Sequence, residues 1–166
     1  MMNDRELVSP KDQIMTTKLD PFDFKNPIED PEKLAIDMIN LIRKYKIVAL
    51  SANEIGVNCR LIVMDTDPIY ALFNPVITTT FGDDVYLEET DITRSDIVCK
   101  VKRPSGIRVR FQDIQGQFNV QKFVGLTARN ILHHIDNIDG QVFYNKATSY
   151  HRQKALKNRK KISGKV

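Results

Sequence analysis

The chain has no apolar run long enough to cross a bilayer. Its first residues, Met1-Met2-Asn3-Asp4-Arg5, mix charges, and no apolar stretch follows them, so a secretory signal is not expected. These two absences point to a cytoplasmic protein. Cysteine is scarce: only Cys59 and Cys99, each in or beside an apolar, strand-like run. Two such residues cannot form a disulfide framework and read as reduced core thiols. No internal repeat is present, and the only biased segment lies at the C-terminal end. Residues 145–166 contain no aspartate or glutamate but hold eight of the 25 basic residues, which leaves 17 basic against 21 acidic residues elsewhere. The protein reads as a mildly acidic body with a basic tail, and the overall charge of +4 comes from that tail.

At 166 residues, with 42% hydrophobic and 28% charged residues, the chain can fill one core. Residues 1–26 lack periodicity and read as an extended arm, 27–145 as the folded domain and 146–166 as the tail. Asp30-Pro31-Glu32 marks a helix start, with an aspartate cap, proline in the first helical position and an acid in the first turn. Leu34, Met38, Leu41, Ile42 and Tyr45 continue it as a helical stripe ending near Lys46. Short strands are expected over 47–50, 60–64, 71–73, 76–80, 85–88, 97–102 and 107–112. In the last, Ile107, Val109 and Phe111 alternate with Arg108, Arg110 and Gln112. A turn at 113–116 returns the chain over 117–123. A second helix is expected over 126–138, with Ala128, Ile131, Ile135 and Ile138 on its apolar face and Gly140 as the stop. This order gives an α+β fold.

That second helix carries the most informative segment, Leu132-His133-His134-Ile135-Asp136-Asn137-Ile138-Asp139-Gly140. His133 and Asn137 are four residues apart and so share a helix face. Two histidines at that spacing, with a glutamate after the first, would make a metal pincer with a built-in base. Here the second position is Asn137, and His134 stands where the glutamate would be.

The ordered segments resemble the peptide deformylases, metallohydrolases that remove the formyl group from the N-terminal methionine of new proteins. Ala49-Leu50-Ser51-Ala52-Asn53-Glu54-Ile55-Gly56 is similar to the family's first motif, Glu89-Thr90-Asp91-Ile92-Thr93 to the second, and the His133 segment to the third. Asn74-Pro75, Arg103-Pro104 and Gly125-Leu126-Thr127-Ala128-Arg129 fall at the family's spacing. The resemblance covers roughly residues 8–145 and implies short antiparallel strands around the motif helix. It also implies that the family's cysteine ligand falls on Asp91, its histidine ligands on His133 and Asn137, its basic glutamate on His134 and its polarising glutamine on Glu54.

An amide oxygen is a weak ligand for a transition metal, and an ionised Glu54 offers acceptors where a developing oxyanion needs donors. From the residues alone, Asp91, His133 and Asn137 are expected to form a hydrogen-bonded cluster in which Asp91 raises the His133 pKa. His134 reads as a structural or surface residue, and Glu89 with Arg103 as a structural ion pair. The expectation is then a deformylase-like pseudoenzyme with no catalytic residues, no bound metal and no cofactor. It would serve as a structural or protein-interaction module, concretely a bacteriophage virion or assembly component, using residues 1–26 and 146–166 as arms. Lys154, Lys157, Arg159, Lys160 and Lys161 would contact other proteins, or nucleic acid. The alternatives are an active metal-dependent deformylase with Asp91 and His133 as atypical ligands, and a ribosome- or RNA-associated pseudoenzyme.

Overall fold

Among the described residues, five antiparallel strands form one sheet in the order β1-β2-β3-β4-β5, with a helix packed on each face and a third against one strand. The structure is a computed structural model describing residues 4–163, with side chains described as far as residue 159. The elements are α1 (Pro31–Tyr45), β1 (Ala49–Ser51), β2 (Leu61–Met64), β3 (Tyr70–Glu89), β4 (Cys99–Gln112), β5 (Phe118–Val124), α2 (Gly125–Ile138) and α3 (Ser149–Ser163). The α+β class and the deformylase-like arrangement of strands around the motif helix are as the sequence reading has them.

The Asp30 carboxylate caps α1 by accepting from the Glu32 N–H at 3.0 Å. The helix stops at Lys46, in the left-handed region with φ 55°. Its stripe Leu34, Met38, Leu41 and Ile42 is buried against Leu61 and Val63 of β2. The alternate residues Ile62 and Met64 face the other way, into the cluster with Ala128, Ile131 and Ile138 of α2. β2 is therefore buried on both faces, which is why it reads as an unbroken apolar run. Each fully buried aliphatic side chain here contributes roughly 1.5–3 kcal/mol.

Two expectations about elements are corrected. The separate strands at 71–73, 76–80 and 85–88 are one strand, β3, and those at 97–102 and 107–112 are one strand, β4. The apparent breakers are absorbed as irregularities in the β3–β4 register, between Phe73 and Val76, Ile77 and Thr79, and Phe81 and Asp84. Gly82, with φ 76°, lies within the last of these.

The described parts of the two terminal segments fold back on the body instead of standing free as arms. Met15, Leu19 and Phe22 are buried, the Val8 N–H donates to the Glu54 carbonyl at 2.9 Å, and the Leu19 N–H donates to Ile138. The basic tail forms α3, whose Ala155 packs with Ile97, Cys99, Val101 and Phe143. Both cysteines are free and buried. Among the described residues, no helix is long and apolar enough to cross a membrane.

Candidate active site

Four elements meet at the site. α2 presents Arg129, His133, His134, Asp136 and Asn137. The end of β3 and the loop after it bring Glu89 and Asp91, β4 brings Arg103, and the turn after β1 brings Glu54. All of these side chains are buried.

His133 is held at both ring nitrogens, with Nδ1 2.9 Å from Glu89 Oε1 and Nε2 3.0 Å from Asp91 Oδ2. Asn137 Nδ2 donates to the same Asp91 oxygen at 2.9 Å, and the Thr93 N–H to the other at 2.8 Å. Burial alone would pull the His133 pKa down. The hydrogen bonds to Asp91 and Glu89, with their negative charges, outweigh it and push His133 up to about 9. His133 is therefore an imidazolium at neutral pH. Burial would likewise raise Asp91 and Glu89, but His133 holds both below the usual carboxylate range, helped by Thr93 and Asn137 at Asp91 and by Arg103 at Glu89. Asp91 thus joins His133 and Asn137 in one hydrogen-bonded cluster.

Behind this cluster, Arg103 grips Glu89 with two bonds, Nε to Oε2 at 2.7 Å and Nη2 to Oε1 at 2.9 Å, and turns Nη1 to Asp136 at 2.9 Å. Arg129 adds a third cationic partner to Glu89 and donates to the Val85 and Val101 carbonyls. Three carboxylates (Glu89, Asp91, Asp136) face three cations (Arg103, Arg129, His133), so the buried charge is balanced. Arg129 was not expected in this network. Its signal was available: Arg129, His133, Asp136 and Asn137 recur at helical spacing on one face.

Glu54 and His134 form the other half of the site. His134 is buried, not on the surface, and its Nδ1–H donates to the Asn130 carbonyl at 2.8 Å. Nε2 then lies 3.4 Å from Glu54 Oε2. That Glu54 oxygen accepts from the Ser51 N–H at 2.8 Å and the Ser51 hydroxyl at 3.1 Å. Ser51-x-x-Glu54 is a capping-box pattern legible in the sequence. Burial, and next the negative charge of Asp91, push the Glu54 pKa up against the opposing pull of His134 and Ser51. Burial and the Asp91 charge thus disfavour the carboxylate at Glu54, while His134 and Ser51 favour it.

A cavity of about 370 Å³ opens onto both halves. Glu54, Asp91, His133 and His134 line its polar wall, and Ile92 and Leu126 are among its apolar lining. Asn137 stands behind Asp91, outside that lining. The basic residues expected at an interaction surface lie elsewhere, on α3. Lys154 and Lys157 are exposed, and Arg159 pairs with Asp96 at 2.7 Å. The side chains of Lys160 and Lys161 lie outside the described residues.

The resemblance implies a metal, and the donor set can be tested for it. A ligand imidazole needs a free lone pair, but both nitrogens of His133 are committed and the ring is cationic. Asn137 offers Asp91 its amide nitrogen. Among the described residues, no group of three or more His, Cys, Asp or Glu side chains is placed to hold a metal ion. These residues do not fit a hydrolytic transition metal.

Comparison with known proteins places this arrangement. Residues 4–153 match the family model described as polypeptide deformylase. A peptide deformylase of Prosthecochloris aestuarii is 30% identical over 164 residues, covering 93% of this chain and 87% of that protein. One of Desulforudis audaxviator is 33% identical over 126 residues, covering 74% and 81%. The solved peptide deformylase of Thermus thermophilus superposes with a TM-score of 0.85 at 28% identity, covering 93% of this chain and 92% of that one. These likenesses overturn the expectation of a non-catalytic pseudoenzyme, whether as a structural module, a bacteriophage virion component or an RNA-bound relic. The similarity is to proteins named peptide deformylase, and the matched span contains the site.

Proposed function

The chain belongs to the peptide deformylase family, and from that premise we propose that it hydrolyses the formyl amide at the N-terminus of peptides, yielding formate and a free amine. The observation that carries this reading is the family match across residues 4–153, joined to a cavity whose polar wall is built from the matched site positions.

The chain's own side chains supply a proton carrier to such a substrate. β1 is the terminal strand of the sheet, and Ala49 lines the cavity, so an extended peptide can add along that edge. Ile92 and Leu126 offer apolar contact to its first side chain. His134 Nε2, its tautomer fixed by the bond from Nδ1–H to Asn130, takes a proton from water as the hydroxyl adds to the formyl carbon. The proton then passes to the amide nitrogen as the C–N bond breaks, so one water is consumed for each formate and amine released. The His133 cluster holds α2 in register with β3 and β4, fixing His134 relative to Glu54. The test is formate release from a formyl-methionyl tripeptide by the purified protein. Release that rises with enzyme concentration and falls on His134→Ala is expected, and no release above the buffer blank refutes the reading.

For location, a cytoplasmic site of action fits a substrate that is a newly made protein chain. For partners, we propose that exposed Lys154 and Lys157 on α3 meet an acidic protein surface.

A further inference from the structure

The sheet has a second surface, away from the cavity. The strand residues buried under α1 are Leu50, Leu61, Val63 and Phe73, from β1, β2 and β3, and none comes from β4 or β5. The same face therefore lies open over β4 and β5. There β5 turns Phe118, Val120, Lys122 and Val124 outward, while the alternate Phe123 is buried on the α2 side. Phe118 is 69% exposed, Val120 59% and Val124 63%. On β4 the exposed Arg110 and Arg108 stand opposite Val120 and Lys122. On β3 the exposed Val76 and Thr79 stand opposite the same two arginines. Phe81 closes one end. Its ring lies across Gly106, where a Cβ would meet it at 2.3 Å, so β4 gives up a side chain to seat it. Phe118, opposite Gln112, closes the other end. The distance along β4 from Gly106 to Gln112 is about 20 Å.

Charge decides what such a surface can hold. Residues 76–82, 106–112 and 118–124 contain Arg108, Arg110 and Lys122 and no acid. Arg108 sits directly across from Lys122, a like-charge pair that costs stability in a sheet. Among the described residues, none of the three cations makes an ion pair. Two of them lie over rings instead, Arg110 over Phe118 at 5.8 Å and Lys122 over Phe81 at 5.7 Å. The flanking acids, Asp83 and Asp84 past Phe81 and Asp113 past Gln112, fall beyond the two ends, and Asp113 is already tied to the Gln115 and Gln117 N–H groups. A second copy of this face would set cations against cations. Its complement is an anionic chain that also carries flat, stackable groups.

We propose that this face binds single-stranded RNA. Arg110, Arg108 and Lys122 meet its phosphates, one base stacks on the exposed ring of Phe118, and another packs at Phe81. The exposed Thr79 hydroxyl, across from Arg108, is placed to bond a ribose 2′-hydroxyl, which DNA lacks. The span takes about four nucleotides. None of the residues of the hydrolytic site takes part, so this function stands or falls apart from formate release.

The test is fluorescence anisotropy of a labelled single-stranded RNA about ten nucleotides long, titrated with the full-length protein at several salt concentrations. Affinity should fall with salt at a log–log slope of about −2, as three phosphate contacts require. Arg108→Ala with Arg110→Ala should cut that slope to about −0.7. Phe118→Ala should leave the slope unchanged and weaken binding about 5- to 100-fold, whereas Phe118→Tyr keeps the ring and the affinity. All three side chains are exposed, so thermal melts of the variants should match the native protein. Without any variant, the RNA should shift the amide NMR signals of β5 and leave those of α3 in place. The same sequence as DNA should bind more weakly. Three results overturn the proposal: no binding at low salt, equal affinity for the DNA, or binding that survives these substitutions and is lost with Lys154→Glu and Lys157→Glu. Flat anisotropy with RNA, while the protein sediments with vesicles of anionic lipid, overturns it in favour of a membrane surface.

Discussion

Raising the pH should destabilise this protein well before its lysines titrate, and His133 sets the size of the effect. In the fold its pKa is pushed up to about 9, against an ordinary value near 6.5 in the unfolded chain. A raised pKa means that the folded state holds a proton the unfolded state has released. The stabilisation is therefore fully present below pH 6.5 and is lost as pH rises through 9. Between pH 6 and pH 8.5 the linked loss comes to about 2 kcal/mol, and about 1 kcal/mol more follows at higher pH. Glu54, also raised, contributes with the same sign. Burial raises both cysteine thiols, so they destabilise only as unfolded thiols begin to ionise, and a window ending at pH 8.5 keeps that small. The assay is urea unfolding followed by circular dichroism at half-unit pH steps, beside NMR titration of the His133 ring. Asp91→Asn removes one of the two carboxylates on the ring, so it should lower the His133 pKa and flatten the slope. A midpoint independent of pH from 6 to 8.5, or a His133 pKa at or below 6.5, refutes the reasoning.

Arg103→Ala should cost about 3–5 kcal/mol in chemical denaturation, because it leaves Glu89 and Asp136 buried with one cation fewer. Arg103→Lys should recover only part of this, since an ammonium cannot make the two-bond grip on Glu89 while reaching Asp136. Gly140→Ala should destabilise by more than the ~1–2 kcal/mol that the left-handed conformation alone costs. A Cβ there would lie 2.8 Å from the Thr16 carbonyl oxygen, so backbone must move; the fall in Tm should be roughly 2–4 °C per kcal/mol. Reversing charge with Lys154→Glu and Lys157→Glu should leave formate release unchanged and abolish any salt-sensitive partner found by cross-linking. If RNA co-purifies with the native protein and is lost on charge reversal, the acidic-protein assignment gives way to nucleic acid.

The parts of the fold legible in the sequence are those where one local rule decides. Asp30-Pro31 and the stripe from Leu34 to Ile42 specify α1, and the residues around His133 specify α2. β3 and β4 were read as fragments because Asn74-Pro75, Gly82-Asp83-Asp84 and Arg103-Pro104-Ser105-Gly106 look like turns locally. Only pairing between distant strands turns them into irregularities of one ladder. The cluster of Asp91, His133 and Asn137 followed from residue chemistry, since a buried imidazole must be paired. The burial of Glu54 and His134 side by side was not legible for a different reason. Burial and the charges around a side chain are set by distant segments, and neither is written in a sequence window. The same holds for residues 4–26: lack of periodicity implied an arm, yet single apolar residues, Met15, Leu19 and Phe22, are enough to seat an irregular segment on the core.

Hydrolysis of a formyl amide by these side chains is the central claim to test. The most direct measurement is mass spectrometry of formate released from a formyl-methionyl peptide by the native protein in heavy-oxygen water. Formate carrying one solvent oxygen, produced over many turnovers and abolished in His134→Ala, is the predicted result. A peptide that keeps its formyl group after prolonged incubation with folded protein would contradict it.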